Sequence, residues 1–316
     1  MIKIKITNIH NLPVAIVNAV SNNIQKPSKN VIRVSELINA PKPKELRMKH
    51  WNEITEDVSE RLWSLLGQSM HHILESGAPE NAFREERLSS KIDGVTISGQ
   101  SDLWYEGDIE DYKTTSVYSF LLGIKPEWIA QLNVYRWLWT KAGFHTKSLK
   151  IHAILRDWVR SKALTDPNYP QIHWMTVDIP MWTLEETEIY IRKRIALHKL
   201  NPAPDCTDEE KWARPTTYAV IEEGAKRAKR VCSTLAEAKM WIKQNSKWYI
   251  VIDEKKAIPS FYVMKKGLKK HKADCKTLEK AEAFIKKYET LKIDIRKGVN
   301  VKCEGYCNVS QWCNCK

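Results

Sequence analysis

Two aspartates and a lysine, Asp102, Asp111 and Lys113, stand close enough in the chain to share one site. Alternate side chains of a strand point the same way, so Asp111 and Lys113 share a face and Tyr112 points away. Asp102 lies near the end of the preceding strand of the same hairpin run. Neighbouring strands would bring both carboxylates to one cation, with the Tyr112 carbonyl as a third oxygen. Hard oxygen donors of this kind suit Mg²⁺ or Mn²⁺. Lys113 beside them would orient or help deprotonate an attacking water and stabilise a pentavalent phosphate. The tripeptide Asp111-Tyr112-Lys113 is not specific by itself, because a surface hairpin with alternating charge explains it equally well.

The surrounding pattern supplies elements that could position these groups. Trp51, Ile54, Val58, Leu62, Leu65, Leu66, Ile73 and Leu74 recur at three- and four-residue steps, which predicts an amphipathic helix or a pair of helices over 46–76. Three strands are predicted over 83–92, 95–105 and 108–115. Asp93-Gly94 reads as the hairpin turn between the first two, and Glu106-Gly107-Asp108 turns the chain between the second and third. A helix over 126–142, strands over 148–156 and 173–178 and a helix over 183–199 complete an α/β core. More polar groups fall on these elements. Gly67-Gln68-Ser69-Met70-His71 lies on the first helix, and Glu85 and Glu86 open the first strand. Gly99-Gln100-Ser101-Asp102 lies on the second strand, while Gln131 and Tyr135 sit one turn apart on the second helix. His71 and His72 are adjacent, and only the Gly-x-x-x-His spacing selects His71. Strand alternation lets one of Glu85 and Glu86 face the site, and Glu86 is taken as that residue.

This set, in this order, resembles the PD-(D/E)XK nuclease superfamily in its RecB-like exonuclease branch. That branch includes stand-alone phage nucleases, the AddB nuclease domain and the CRISPR-associated RecB-type exonucleases. The resemblance covers about residues 32–200. It implies a restriction-endonuclease-like core, a mixed sheet flanked by helices. It implies Asp102 and Asp111 as metal ligands, His71 as a further ligand or DNA-orienting residue and Lys113 as catalytic. Glu86, Gln131 and Tyr135 complete the set, the last two positioning the DNA backbone. The activity implied is metal-dependent hydrolysis of DNA at ends or in single strands, with a recombinase or single-strand-annealing protein as partner. A structure-selective endonuclease and a non-cleaving recombination or packaging factor on the same fold are the alternatives.

The rest of the chain carries two further signals. Residues 215–248 and 258–288 repeat with an offset of 43, pairing Val220, Gly224, Lys226, Lys229, Cys232 and Leu235 with Val263, Gly267, Lys269, Lys272, Cys275 and Leu278. Each copy reads strand, glycine turn, strand, helix, with a cluster of basic residues at the turn. Near the end stand Cys303, Cys307, Cys313 and Cys315, too dense for core packing. With Cys206 or Cys315 as fourth ligand they could hold Zn²⁺ or an iron–sulfur cluster. The related enzymes use one more cysteine upstream of the nuclease motifs, and here no cysteine precedes Cys206. The expected organisation is a core over 1–210, a ββα tandem-repeat region over 211–290 and a cysteine-bearing segment over 291–316 that closes on the core. A net charge of +13 favours a polyanionic partner. Seven cysteines, an odd number, argue against a disulfide framework. No apolar run is long enough to cross a bilayer, and a signal peptide is not evident, so a soluble cytoplasmic protein is expected, in a bacterial host's cytoplasm if phage-encoded.

Overall fold

The turns at Asp93-Gly94 and Glu106-Gly107 are formed as the sequence predicts, with φ of 49° and 76° at the first and 49° and 97° at the second. Two successive positive φ values give the primed turn whose twist matches the flanking strands. The computed structural model describes residues 4–22, 24–121, 123–253 and 260–314. The chain forms two units, Met1–Lys211 with Cys303–Lys316, and Trp212–Lys302.

The first unit is mixed α/β. Its N-terminal part contains β1 (Lys5–Thr7), α1 (Val14–Asn22), β2 (Val31–Arg33), α2 (Val34–Leu37), α3 (Pro41–Lys49), β3 (Thr55–Asp57) and α4 (Leu62–Ser76). The apolar periodicity over 46–76 therefore belongs to two helices with a strand between them. Ile54 and Val58 are fully buried beside that strand, whereas α4 has no buried residue. Next come β4 (Phe83–Arg84), β5 (Arg87–Ile92), β6 (Val95–Gln100), β7 (Leu103–Tyr105) and β8 (Asp108–Thr115). Then follow α5 (Tyr118–Leu121), α6 (Pro126–Lys141), β9 (Ser148–Leu155), α7 (Arg160–Thr165), β10 (Trp174–Asp178), α8 (Leu184–Lys199) and α9 (Asp208–Lys211).

Each of the first two predicted strands is broken once, at Glu85-Glu86 and at Ser101-Asp102. The breaks divide the run between two sheets, ordered β2-β6-β5 and β10-β9-β8-β7-β4. In the second sheet β8 and β9 are parallel and the other pairs antiparallel. Parallel neighbours need a crossover, and α6 supplies it. Pro126 sits in the first turn of α6, where its missing N–H costs nothing. Thr183 and Glu186 form a reciprocal capping box at the start of α8. The helix α6 is buried on nearly all sides. Trp137, Trp139 and Leu132 lie in the main core with Ile97, Ile109 and Ile151, so these tryptophans are packing groups. Truncating either to alanine would cost on the order of 3–5 kcal/mol.

The second unit contains β11 (Ala213–Arg214), β12 (Thr217–Glu222), β13 (Arg230–Cys232), α10 (Leu235–Asn245), β14 (Trp248–Asp253), β15 (Ser260–Lys265) and β16 (Ala273–Cys275). It continues through α11 (Leu278–Tyr288), β17 (Leu291–Arg296) and β18 (Val299–Asn300). The strand β17, expected in the terminal segment, is part of this unit, which runs to Lys302. The cysteine-bearing tail, with α12 (Val301–Gly305) leading into it, belongs to the first unit. There Val309, Cys307, Trp312 and Cys313 pack with Ile4, Leu46, Trp51 and Ile54.

Candidate metal centre

The strand β8 is longer than its neighbour β7. Only Asp108, Ile109 and Glu110 pair with it, so one backbone edge of β8 is bare beyond Glu110. Backbone groups left without a ladder partner need another one. At this edge side chains provide it. Asp102, at the break after β6, accepts the Tyr112 N–H through Oδ2 at 2.6 Å. His71, from α4, hydrogen-bonds the Tyr112 carbonyl through Nε2 at 2.9 Å. The break in the second predicted strand thus creates the site that an unbroken ladder would have closed.

Acidic groups converge on the other side of the imidazole. His71 Nδ1 lies 3.3 Å from Asp102 Oδ1 and 3.6 Å from Glu85 Oε1. His71, Glu85 and Asp102 each offer a donor atom within 4.8 Å of the others. Hydrogen bonds accepted by Asp102 and then by Glu85 push the His71 pKa up to about 10 against the effect of burial. With no cation among these oxygens a proton on the ring is favoured, and Nε2 faces the Tyr112 carbonyl while Nδ1 faces the two carboxylates. His72 points outward to Glu75, which resolves the choice between the two histidines in favour of His71.

Glu85, not Glu86, faces this site. Glu85 has φ +47° at the break between β4 and β5, and its N–H donates to the Asp102 carbonyl at 3.0 Å. Alternation left the choice between the two open; the left-handed residue turns Glu85 to the site, and Glu86 lies exposed. Gln100 holds Glu85 in place, Nε2 donating to Glu85 Oε2 at 2.5 Å, and Arg87 in turn donates to Gln100. In the sequence Gln100 stands two residues before Asp102 with nothing in its spacing to give it a role. Only a hydrogen-bond partner across the break reveals it.

Asp111 and Lys113 share the face of β8 that meets α6. Lys113 Nζ stands 2.5 Å from Asp111 Oδ2, an ion pair without a well-aligned hydrogen bond to that oxygen. Gln131 Nε2 donates to Asp111 Oδ1 at 3.3 Å and to Tyr135 Oη at 3.0 Å, while its Oε1 accepts from Lys113 at 3.3 Å. Burial raises the Asp111 pKa to about 6, opposed by the Lys113 charge and reinforced by Asp102. Burial also pushes the Lys113 ammonium down, but the nearby Asp111 charge outweighs it and leaves Lys113 above its ordinary value. Asp111 is thus not among the three groups closest to one another. It pairs with Lys113 and acts on Asp102 and His71 through charge. Gly99 lets this packing happen: a Cβ there would stand 2.7 Å from Leu138 and Val34 and 2.9 Å from the Tyr135 ring.

The cysteines form a second cluster in the same unit. Cys206, Cys303, Cys307 and Cys313 line one small pocket with Lys42, Pro43 and Leu46. None of the four is in a disulfide. Burial, then Glu210 and the three neighbouring thiols, push Cys206 up to about 11. A zinc tetrahedron with Zn–S of about 2.3 Å would hold its sulfurs about 3.8 Å apart. Among the described residues, no three of these sulfurs lie within 4.8 Å of one another. Cys315 lies outside the described residues.

No family model matches the chain, and no curated protein matches it. A solved structure described as "Crystal structure of SSO0001" is similar at a TM-score of 0.40 and 18% identity, covering 58% of this chain and 84% of that one. A likeness of that size carries no argument about fold or activity. No helix among the described residues is long and apolar enough to cross a membrane.

Proposed function

We propose that the chain is a metal-dependent DNA nuclease of the PD-(D/E)XK kind, acting on DNA ends or single strands in recombination, repair or phage DNA metabolism. One observation carries the reading: His71, Glu85 and Asp102 gather at a bare strand edge, beside a buried Asp111–Lys113 pair held by Gln131. The donor set fits a divalent ion. It combines carboxylate oxygens, a backbone carbonyl and one imidazole, and Asp111 keeps a buried oxygen with no aligned donor. A raised His71 is also what carboxylates short of positive charge produce.

His71, Glu85, Asp102, Asp111 and the Tyr112 carbonyl would hold the ion, which when bound supplies Lewis-acid polarisation of a phosphoryl oxygen. Lys113, kept protonated by Asp111, is a fixed positive charge for the developing pentavalent phosphate rather than a base. Gln131 fixes both members of that pair and orients Tyr135. Gln100 holds Glu85 against the break. The test is incubation of purified protein with end-labelled linear and covalently closed DNA, in Mg²⁺, Mn²⁺ or EDTA, alongside Lys113→Ala. Activity in EDTA, or an unimpaired Lys113→Ala, would sink the mechanism. Degradation of closed circles would remove the exonuclease assignment and favour an endonuclease. Binding without cleavage under every condition would favour the non-cleaving alternative.

The cysteine cluster enters the proposal as an iron–sulfur or Zn²⁺ site on Cys206, Cys303, Cys307 and Cys313, because four thiols line one small pocket. Cysteines outside disulfides among the described residues fit a reducing compartment, and we place the protein in the cytoplasm. Anaerobically purified protein lacking iron and absorbance near roughly 400 nm would reject the iron–sulfur cluster.

A further inference from the structure

The second unit carries the whole net charge of the chain. Residues 212–302 hold 23 of the 51 Lys and Arg but only 10 of the 38 Asp and Glu, so this unit is +13 and the first unit is neutral. The arrangement of that charge follows from the repeat. Four elements recur at an offset of 43: β12 with β15, β13 with β16, α10 with α11 and β14 with β17. The strand after each helix joins the other copy's sheet, giving orders β13-β12-β17 and β14-β15-β16. The registers are the same under the offset, Thr217 opposite Arg296 and Ser260 opposite Asp253. Reciprocal exchange with one register describes a closed two-fold relation, since an open repeat would leave one strand unexchanged.

The axis can be located. Ser246 and Glu289 are equivalent positions, and Ser246 Oγ donates to Glu289 Oε2 at 2.5 Å. Equivalent residues of a two-fold pair meet on or beside its axis. Both basic loops open next to this contact. The Glu223 N–H donates to the Thr290 carbonyl at 2.8 Å, and the equivalent Lys266 N–H donates to the Lys247 carbonyl at 2.7 Å. A two-fold axis puts its equivalents at the same height, so the loops flank it on one side of the unit. They carry Lys226 and Arg227 in one copy and Lys269 and Lys270 in the other, all exposed.

We infer that this unit binds duplex DNA along its pseudo-dyad, each loop taking the phosphates of one strand. A duplex has a local dyad relating its two backbones, and two equivalent cationic loops match it as a single loop would not. The inference shares with the nuclease reading only the class of partner. The test uses the full chain in EDTA, where cleavage plays no part. Fluorescence anisotropy with a labelled duplex would compare wild type with Lys226→Glu/Arg227→Glu, Lys269→Glu/Lys270→Glu and the four-site combination. Each pair is expected to weaken binding by about tenfold and lower the salt slope by about 2, with the combination weakening it further. Glutamine versions serve if a charge reversal disturbs folding, as judged by circular dichroism. Loss from one loop only would overturn the two-loop assignment. An equal loss from Lys26→Glu/Lys29→Glu, in the first unit, would reduce the effect to bulk charge and overturn it too. A single strand bound as tightly as the duplex would overturn the duplex claim. Failure of the nuclease reading would leave these binding results unchanged.

Discussion

Glu85 and Glu86 differ by one position in sequence and by one residue at positive φ in structure, and that decides which carboxylate reaches His71. Glu85→Gln is expected to weaken Mn²⁺ binding by roughly 10–100-fold, whereas Glu86→Gln leaves it near wild type. Isothermal titration of Mn²⁺ into both variants checks this, and equal losses would return the assignment to an undivided acidic patch. Asp111, Lys113, His71, Gln131 and Tyr135 were legible because each sits where regular strand or helix periodicity puts it, and Asp102 because it falls shortly before the third predicted strand in the chain order. Glu85 could not be told from Glu86, since alternation says only that one of the two faces the site. The break needs the Asp102 carbonyl opposite it to be visible, and that is a pairing fact rather than a spacing fact.

At the scale of elements, Gly99 is where β6 meets α6. Any side chain there would press on Leu138, Val34 and the Tyr135 ring at under 3.0 Å. Gly99→Ala should destabilise the first unit by about 1–3 kcal/mol through overpacking and displace Tyr135 from Gln131. Urea unfolding checks the first effect, and an unchanged midpoint would mean that α6 yields easily. At the C-terminal end of α8, His198 is held down near 4 from 6.5, chiefly by burial and then by Lys44 and Arg194. The unfolded chain would take up this proton first as pH falls. The contribution is therefore complete above about pH 6.5 and lost as pH falls toward about 4. Since His198 is only partly buried, it amounts to about 1–2 kcal/mol. His198→Gln should flatten the urea midpoint over that window relative to wild type, and parallel profiles would contradict it. The helices and turns behind these effects were largely readable in the sequence. The split of two strands between two sheets was not, because hydrophobic alternation continues across the second break, where Val95, Ile97, Leu103 and Tyr105 keep one parity, and the polar run Arg84 to Arg87 hides the first.

At the scale of the molecule, the exchange of β14 and β17 makes the two repeats one folding unit, although the sequence presents them as consecutive modules. The offset of 43 was visible in the residues, but which strand each copy lends to the other depends on pairing over long separations. Ala238 and Ala281 are fully buried equivalents, each under its own helix. Ala238→Asp would bury a carboxylate beneath α10, with no partner for its charge. If the copies folded separately, only β12 and β13 would lose amide protection in hydrogen exchange. Exchange of strands predicts more: β14 leaves its place beside β15 when α10 loosens, and β17 loses its partner β12. Protection should therefore fall in β15 and β16 as well, toward the level of β12 and β13, while strands of the first unit keep theirs. Retained protection in β15 and β16 would show two independent modules, and the pseudo-dyad that sets the basic loops side by side would lose its structural basis.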